Sequence, residues 1–192
     1  MSNLFDSLIA RPLAEKMRPT RLELLVGQEH LLAPDAPLGR MLRERRASSM
    51  ILWGPPGSGK TTLAKIIAEH VNMNFVSLSA VFSGVSDLRR VFDKAIERKK
   101  IGEETLLFVD EIHRFNRAQQ DSFLPFVEDG TVVLVGATTE NPSFELNSAL
   151  LSRCKFFILE KIARAGLEHL VKRAEKLEGK ELPLKQEARD AL

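Results

Sequence analysis

Apolar residues along the chain fall into two alternating patterns. Short, nearly continuous runs occur at Met50-Ile51-Leu52-Trp53, Asn74-Phe75-Val76-Ser77-Leu78, Thr105-Leu106-Leu107-Phe108-Val109, Val132-Val133-Leu134-Val135 and Phe156-Phe157-Ile158-Leu159. Between them, apolar positions recur at spacings of three and four, as in Leu63, Ile66, Ile67 and Val71, or Leu88, Val91, Phe92 and Ala95. The runs predict strands covered on both faces, and the longer spacing predicts helices with one apolar side. Their alternation predicts an α/β fold: a five-stranded parallel sheet between two helical layers, with ligands at the carboxyl ends of the strands.

The flanks differ. Residues 1–20 are mixed and polar, with Pro12 and Pro19 as breakers, and predict an arm; 21–160 would form the sheet domain. Residues 164–178 predict a charged amphipathic helix, and Glu187 to Leu192 the start of another, with no cap or glycine at its end. Residues 161–192 therefore read as the start of a helical second domain that is cut short.

Composition narrows the class. The chain has 192 residues, 44% hydrophobic and 28% charged, which excludes a disordered or collagen-like polypeptide. A net charge of +2 does not by itself announce nucleic acid. The single cysteine, Cys154, leaves no internal disulfide and fits a reducing compartment. Met1 to Asp6 lacks a secretory pattern, and the apolar runs fall far short of the roughly 20 residues that cross a bilayer. The expectation is a cytoplasmic protein without a membrane partner.

One segment carries strong chemistry. Gly54-Pro55-Pro56-Gly57-Ser58-Gly59-Lys60-Thr61 matches G-x-x-x-x-G-K-[ST], follows a strand pattern and opens a helix at Thr62. Glycines in such a loop turn backbone N–H groups inward around phosphate oxygens, and the helix N-terminus favours the same charge. Lys60 would neutralise the β- and γ-phosphates of ATP, and Thr61 would offer its hydroxyl to Mg²⁺. Asp110 ends the third run and Glu111 follows it. A carboxylate at that strand tip can hold the Mg²⁺ shell, and its neighbour can polarise a water for attack on the γ-phosphate. That pair distinguishes a hydrolase from a small-molecule kinase.

Four segments together resemble an AAA+ ATPase of the clamp-loader branch: the phosphate loop, Asp110-Glu111-Ile112-His113-Arg114-Phe115, Gly136-Ala137-Thr138-Thr139 and Ser152-Arg153-Cys154. The longer stretches Gln119 to Pro125 and Gly136 to Asn147 narrow the likeness to the replication-associated recombination protein A family, which includes the Werner-helicase-interacting ATPases. The resemblance implies a P-loop αβα sandwich followed by a helical lid. Thr139 takes the polar sensor position at the end of the fourth strand, with Thr138 as the alternative. Arg153 takes the arginine-finger position that reaches a neighbouring subunit's nucleotide. Arg18, Gly27 and Gln28 fall in the segment that cups the adenine. The family's second sensor arginine has no match in 161–192. The implied activity is a DNA-dependent ATPase of fork maintenance, recombination and repair, assembled as a ring in the bacterial nucleoid. Forked or junction DNA and single-strand-binding protein are the implied partners. A clamp-loader subunit, a Holliday-junction motor and a recruiting module with little hydrolysis are the alternatives.

Ser83 to Arg90, opening a helix that ends in Arg98-Lys99-Lys100, is the candidate DNA face: Ser83 or Ser86 would cap the helix, with Arg89 and Arg90 adding charge. The same pattern also reads as an ordinary capped surface helix. Arg40, Arg43, Arg45 and Arg46 read as a solvated helix face. His30, His70, His113 and His169 are too scattered for a zinc site, and His113 reads equally as a nucleotide sensor or a supporting residue. Cys154 is expected to pack as a small hydrophobe. Trp53, beside Gly54, is a candidate fluorescent reporter of nucleotide.

Overall fold

The computed structural model describes residues 12–184. The predicted second lid helix at Glu187 to Leu192 and most of the N-terminal arm lie outside them. Five strands are present: β1 (Met50–Trp53), β2 (Asn74–Ser79), β3 (Thr105–Asp110), β4 (Val133–Thr138) and β5 (Lys155–Ile158). They form one sheet in the order β2-β3-β4-β1-β5, and every neighbouring pair is parallel. The fourth strand begins one residue later than its apolar run and continues through Gly136 to Thr138. Gly136 fits because Ile51 and Ile112 fill the space a side chain would take, with a Cβ there only 2.8 Å from Ile51 Cδ1.

The period-two alternation of each strand divides the core. Met50, Leu52, Leu106, Phe108, Val135 and Ala137 meet Leu63, Ala64 and Ile67 of the helix Lys60–His70 on one face. Ile51, Leu107, Val109 and Leu134 meet Leu88, Phe92 and Ala95 of the helix Val85–Lys100 on the other. Burial on both faces is why β3 reads as an unbroken apolar run. Cys154 packs against the second cluster, partly buried, and desolvation pushes its thiol up to about 12. No described helix is long and apolar enough to cross a membrane.

The helix Val85–Lys100 is capped differently from the expectation. Gly84 occupies the N-cap, and its N–H donates to the Asp87 carboxylate at 3.0 Å. Ser83 instead donates its backbone N–H to Ser79 O at 2.9 Å, closing the turn after β2. Arg164–Glu178 forms the expected last long helix, buries little of its own surface, and reaches back to the N-terminal segment through Arg173 Nη1, which donates to Leu24 O at 3.3 Å.

Gly54 joins β1 to the glycine-rich loop and is closed in by the neighbouring strand. A Cβ there would lie 2.4 Å from Leu159 O, a backbone atom that cannot swing aside. Gly54→Ala is expected to lower stability by about 1–3 kcal/mol, read as a fall in denaturant midpoint at unchanged m-value. An unshifted midpoint would show that the strands can spread at no cost.

Candidate active site

Parallel register brings three strand tips to one edge. β4 lies between β1 and β3, with Trp53 opposite Thr138 and Val109 opposite Gly136. The loop after β1, the carboxylates after β3 and the threonines ending β4 are therefore neighbours, at inter-strand spacings of roughly 5 Å.

Gly57 and Gly59 have φ of +76° and +93°, conformations that L side chains rarely adopt, and the helix Lys60–His70 begins directly after them. A Cβ on Gly57 would meet nothing within 4 Å, so the loop opens onto free space where a ligand can approach the backbone. Lys60 is 8% exposed. Its ammonium donates to Gly54 O at 2.8 Å and Pro55 O at 3.0 Å. Burial draws its pKa down from the ordinary lysine value, while Glu111 and then Asp110 oppose that shift. The lysine is thus a desolvated cation facing two carboxylates, the arrangement that a phosphate chain and a divalent ion complete. Thr61 and Asp110 supply the hard oxygen donors that Mg²⁺ prefers, and both are half-buried.

Glu111 has left-handed backbone, φ 52° and ψ 45°, which breaks the strand direction immediately after Asp110. Its Oε2 lies 3.3 Å from His113 Nδ1. Thr138 is wholly buried, and its hydroxyl is engaged by His113 Nδ1 at 2.9 Å and by the Glu140 backbone. Thr139 is half-exposed, and its carbonyl accepts from Trp53 Nε1 at 3.3 Å.

A cavity of about 370 Å³ adjoins the loop, lined by Ala14, Met17, Arg18, Pro19, Leu25, Val26, Gly57, Ser58, Gly59, Thr62, Ile162 and Leu170. Its mainly apolar lining, with the loop at one end, suits a nucleotide base. Arg18 lines it while paired with Glu15 at 3.0 Å. Gly27 and Gln28 stand behind it. Gln28 is 1% exposed, donates to Ser58 O at 3.1 Å and Glu160 O at 2.9 Å, and accepts from Glu160 N at 3.1 Å. It ties the loop to the chain leaving β5. Val26 belongs to the same expected segment as Gly27 and Gln28, whereas Leu25, Ile162 and Leu170 were not singled out in the sequence. The apolar pair formed with Val26 was the available signal for Leu25, and Ile162 and Leu170 arrive only through tertiary packing.

Arg153 lies elsewhere. It follows the helix Ser148–Leu151 and precedes β5, whose first residue pairs with Met50. That is the amino end of the sheet, opposite the loop. Its guanidinium is bonded to Glu128 and donates to Ala149 O at 2.7 Å. Phe82 also escaped notice. It is 89% exposed in the turn after β2, with Val81 and Val85 beside it at 56% and 70%. Its signal was an apolar pair placed where a turn should be polar. Ala80 N anchors this turn to Asp110 O at 2.9 Å.

Residues 50–161 match the family described as ATPases associated with various cellular activities. The chain is 50% identical over 177 residues to replication-associated recombination protein A of Escherichia coli (strain K12), covering 91% of this chain and 40% of that protein. It is 54% identical over 162 residues to the ATPase WRNIP1 of Dictyostelium discoideum, covering 84% of this chain and 18% of that protein. The RuvB Holliday junction branch migration motor of Thermotoga maritima superimposes with a TM-score of 0.69 at 33% identity, over 85% of this chain and 55% of that one. The chain thus spans 40% and 18% of the lengths of the recombination protein A and WRNIP1 relatives.

Two outcomes test the site. Gln28→Leu strands the Ser58 and Glu160 backbone groups it now satisfies; a loss of about 1–3 kcal/mol for the stranded groups is expected in denaturant unfolding, together with weaker nucleotide binding in a titration. For Lys60, a depressed pKa means that its charge is lost at lower pH than for a free lysine. ATP affinity should therefore begin to fall on the alkaline side before the ordinary lysine range, with proton uptake on binding, in titrations across buffers of different ionisation enthalpy. Affinity that is flat to the ordinary lysine range would contradict this.

Proposed function

Because this chain belongs to the AAA ATPase family, we propose that it binds and hydrolyses MgATP in a ring of like subunits acting on DNA in replication-fork maintenance and recombination. The observation that carries the reading is the convergence of the Lys60 loop, Asp110, Glu111 and the β4 threonines at one sheet edge, with Arg153 at the other. In this reading residues 21–160 are the nucleotide-binding unit and 161 onward opens the lid.

The backbone N–H groups of the loop from Gly54 to Thr62 hold the phosphate chain, and Lys60 gives up its carbonyl partners for phosphate oxygens. Arg18 and the apolar cavity take the nucleoside. Thr61 and Asp110 would hold Mg²⁺, which would supply charge neutralisation to the phosphate chain. Glu111 accepts a proton from the attacking water as its oxygen bonds to the γ-phosphorus and the bond to the bridging oxygen breaks, releasing ADP and phosphate. Thr139 orients that water or the γ-phosphate. Arg153 cannot serve its own site, because β1 and β5 separate it from the loop by roughly 13 Å of strand. On a neighbour's nucleotide it would stabilise transferring charge.

The DNA reading rests on the turn after β2. An exposed aromatic supplies a stacking surface for an unpaired base, and Arg89 and Arg90 stand on the following helix. The resemblance to recombination protein A also supports single-strand-binding protein as a partner and a cytoplasmic, nucleoid-associated site of action. The likeness to RuvB supports a second reading, branch migration of four-way junctions.

ATP turnover measured against protein concentration, with and without forked DNA, tests the main reading. Turnover should rise more steeply than concentration, increase with DNA, and fall by about 10³-fold or more in Arg153→Ala. Linear, DNA-indifferent turnover that survives Arg153→Ala would defeat it, and stronger stimulation by four-way junctions than by forks would favour the second reading. Phe82→Ala should weaken single-strand binding by about 1–3 kcal/mol with little change in the salt dependence, whereas Arg89→Ala should flatten that dependence.

A further inference from the structure

At the tips of β3 and β4 one imidazole nitrogen faces two acceptors. His113 Nδ1 lies 2.9 Å from Thr138 Oγ1 and 3.3 Å from Glu111 Oε2. The Thr138 hydroxyl donates to Glu140 O at 3.2 Å, and its oxygen accepts from Glu140 N at 3.0 Å. The carboxylate offers only acceptors, and a ring hydrogen on Nδ1 makes the Thr138 oxygen an acceptor as well, leaving the hydroxyl's own hydrogen for Glu140 O. The hydrogen therefore belongs on Nδ1. A single N–H cannot align well on both oxygens. It serves the nearer hydroxyl, and Glu111 Oε2 is left buried without a hydrogen bond.

That orphan is costly, since a buried acceptor without a donor forfeits its hydration. It also sits on a residue whose left-handed backbone is itself strained. Although the Glu111 side chain as a whole is 32% exposed, its Oε2 is buried against the His113 ring, so bulk water does not stand in for the missing donor. The arrangement has two settings of similar geometry: the N–H on Thr138, or a small ring rotation that places it on Glu111.

We propose that His113 is a positioning residue whose single Nδ1–H is shared between Thr138 and Glu111, so that movement of the β4 tip decides whether the Glu111 carboxylate is held or released. The proposal rests on Glu111 being the base. Thr138 is one residue from Thr139, which is assigned to the γ-phosphate end, and the Thr139 carbonyl is tied to Trp53 beside the phosphate loop. A change at the loop or at Thr139 displaces the Thr138 hydroxyl against the ring. The N–H then passes to Glu111 and fixes its carboxylate. The β4 tip and the base are in this way linked through one hydrogen.

The test has a spectroscopic arm and a kinetic arm. Long-range ¹H–¹⁵N spectra of the labelled chain, with His113 assigned by its loss in His113→Asn, should show the Nδ1–H tautomer without nucleotide. A non-hydrolysable ATP analogue should displace the Nδ1 resonance, and Thr138→Val should abolish that displacement. An Nε2–H tautomer, or a resonance indifferent to the analogue, would overturn the proposal. In turnover assays, His113→Leu should lower kcat by roughly tenfold to a hundredfold while KM for ATP and the melting temperature stay close to the parent values. His113→Asn, which keeps an N–H near the Nδ1 position, should recover most of the loss. Parental kcat in His113→Leu, or no recovery in His113→Asn, would count against it. Turnover that survives Glu111→Gln is a separate failure: it removes the base assignment, whereas the tautomer and its nucleotide response stand or fall without it.

Discussion

The parallel register of β1, β4 and β3 is the constraint on which the rest depends. Parallel strands put all their carboxyl ends on one edge, and placing β4 between the other two makes three distant segments neighbours. The phosphate loop, the Asp110-Glu111 pair and the threonines of β4 are each unremarkable polar clusters when taken alone. Side by side they surround a volume with a cation, two carboxylates and hydroxyls facing it. The same register carries Arg153 to the far edge, because it precedes β5 as surely as the loop follows β1. A single topological choice thus gathers the loop, the carboxylates and the threonines at one edge and keeps Arg153 away from them.

The site is held under tension. Lys60 is desolvated and satisfied by loop carbonyls, Glu111 is strained and leaves a buried oxygen unpartnered, and Ser58 Oγ is buried without a partner as well. Such features persist only where the surroundings over-determine them. Here the surroundings are two apolar layers against the sheet and the Gln28 amide, which hydrogen-bonds the loop once, at Ser58 O, and Glu160 twice. Rigid support around an unsatisfied interior is what a site requires if a ligand is to supply the missing partners.

Much of this was legible in the residues. All five strands fall on the apolar runs, but only the central β1, β3 and β4 are buried on both faces, whereas the edge strands β2 and β5 stay partly exposed, with Phe156 and Ile158 open to solvent. The loop announces itself through glycines that its backbone geometry demands. Strand ends were less legible: β4 runs on through Gly136-Ala137-Thr138, where packing against Ile51 and Ile112 replaces apolar bulk. The serines expected to cap the helix Val85–Lys100 gave way to Gly84 and Asp87, since a carboxylate three residues on bonds the N-cap amide. Gln28 looked like part of the base pocket and proved to brace the loop, and Ile162 and Leu170 joined the cavity through packing that no local pattern encodes. The shared hydrogen of His113 is a tertiary property of two strand tips, although the proximity of His113 to the acidic pair hinted at it.

The proposed function turns on one copy's loop and another copy's Arg153 forming a single active site. Mixing two variants tests it most directly: Lys60→Ala, with its own loop disabled, and Arg153→Ala, unable to complete a neighbour's. Each alone should turn over ATP at background. A 1:1 mixture should recover toward about a quarter of parental turnover, the share of interfaces that join an intact lysine to an intact arginine. A mixture no more active than its separate components would contradict the account.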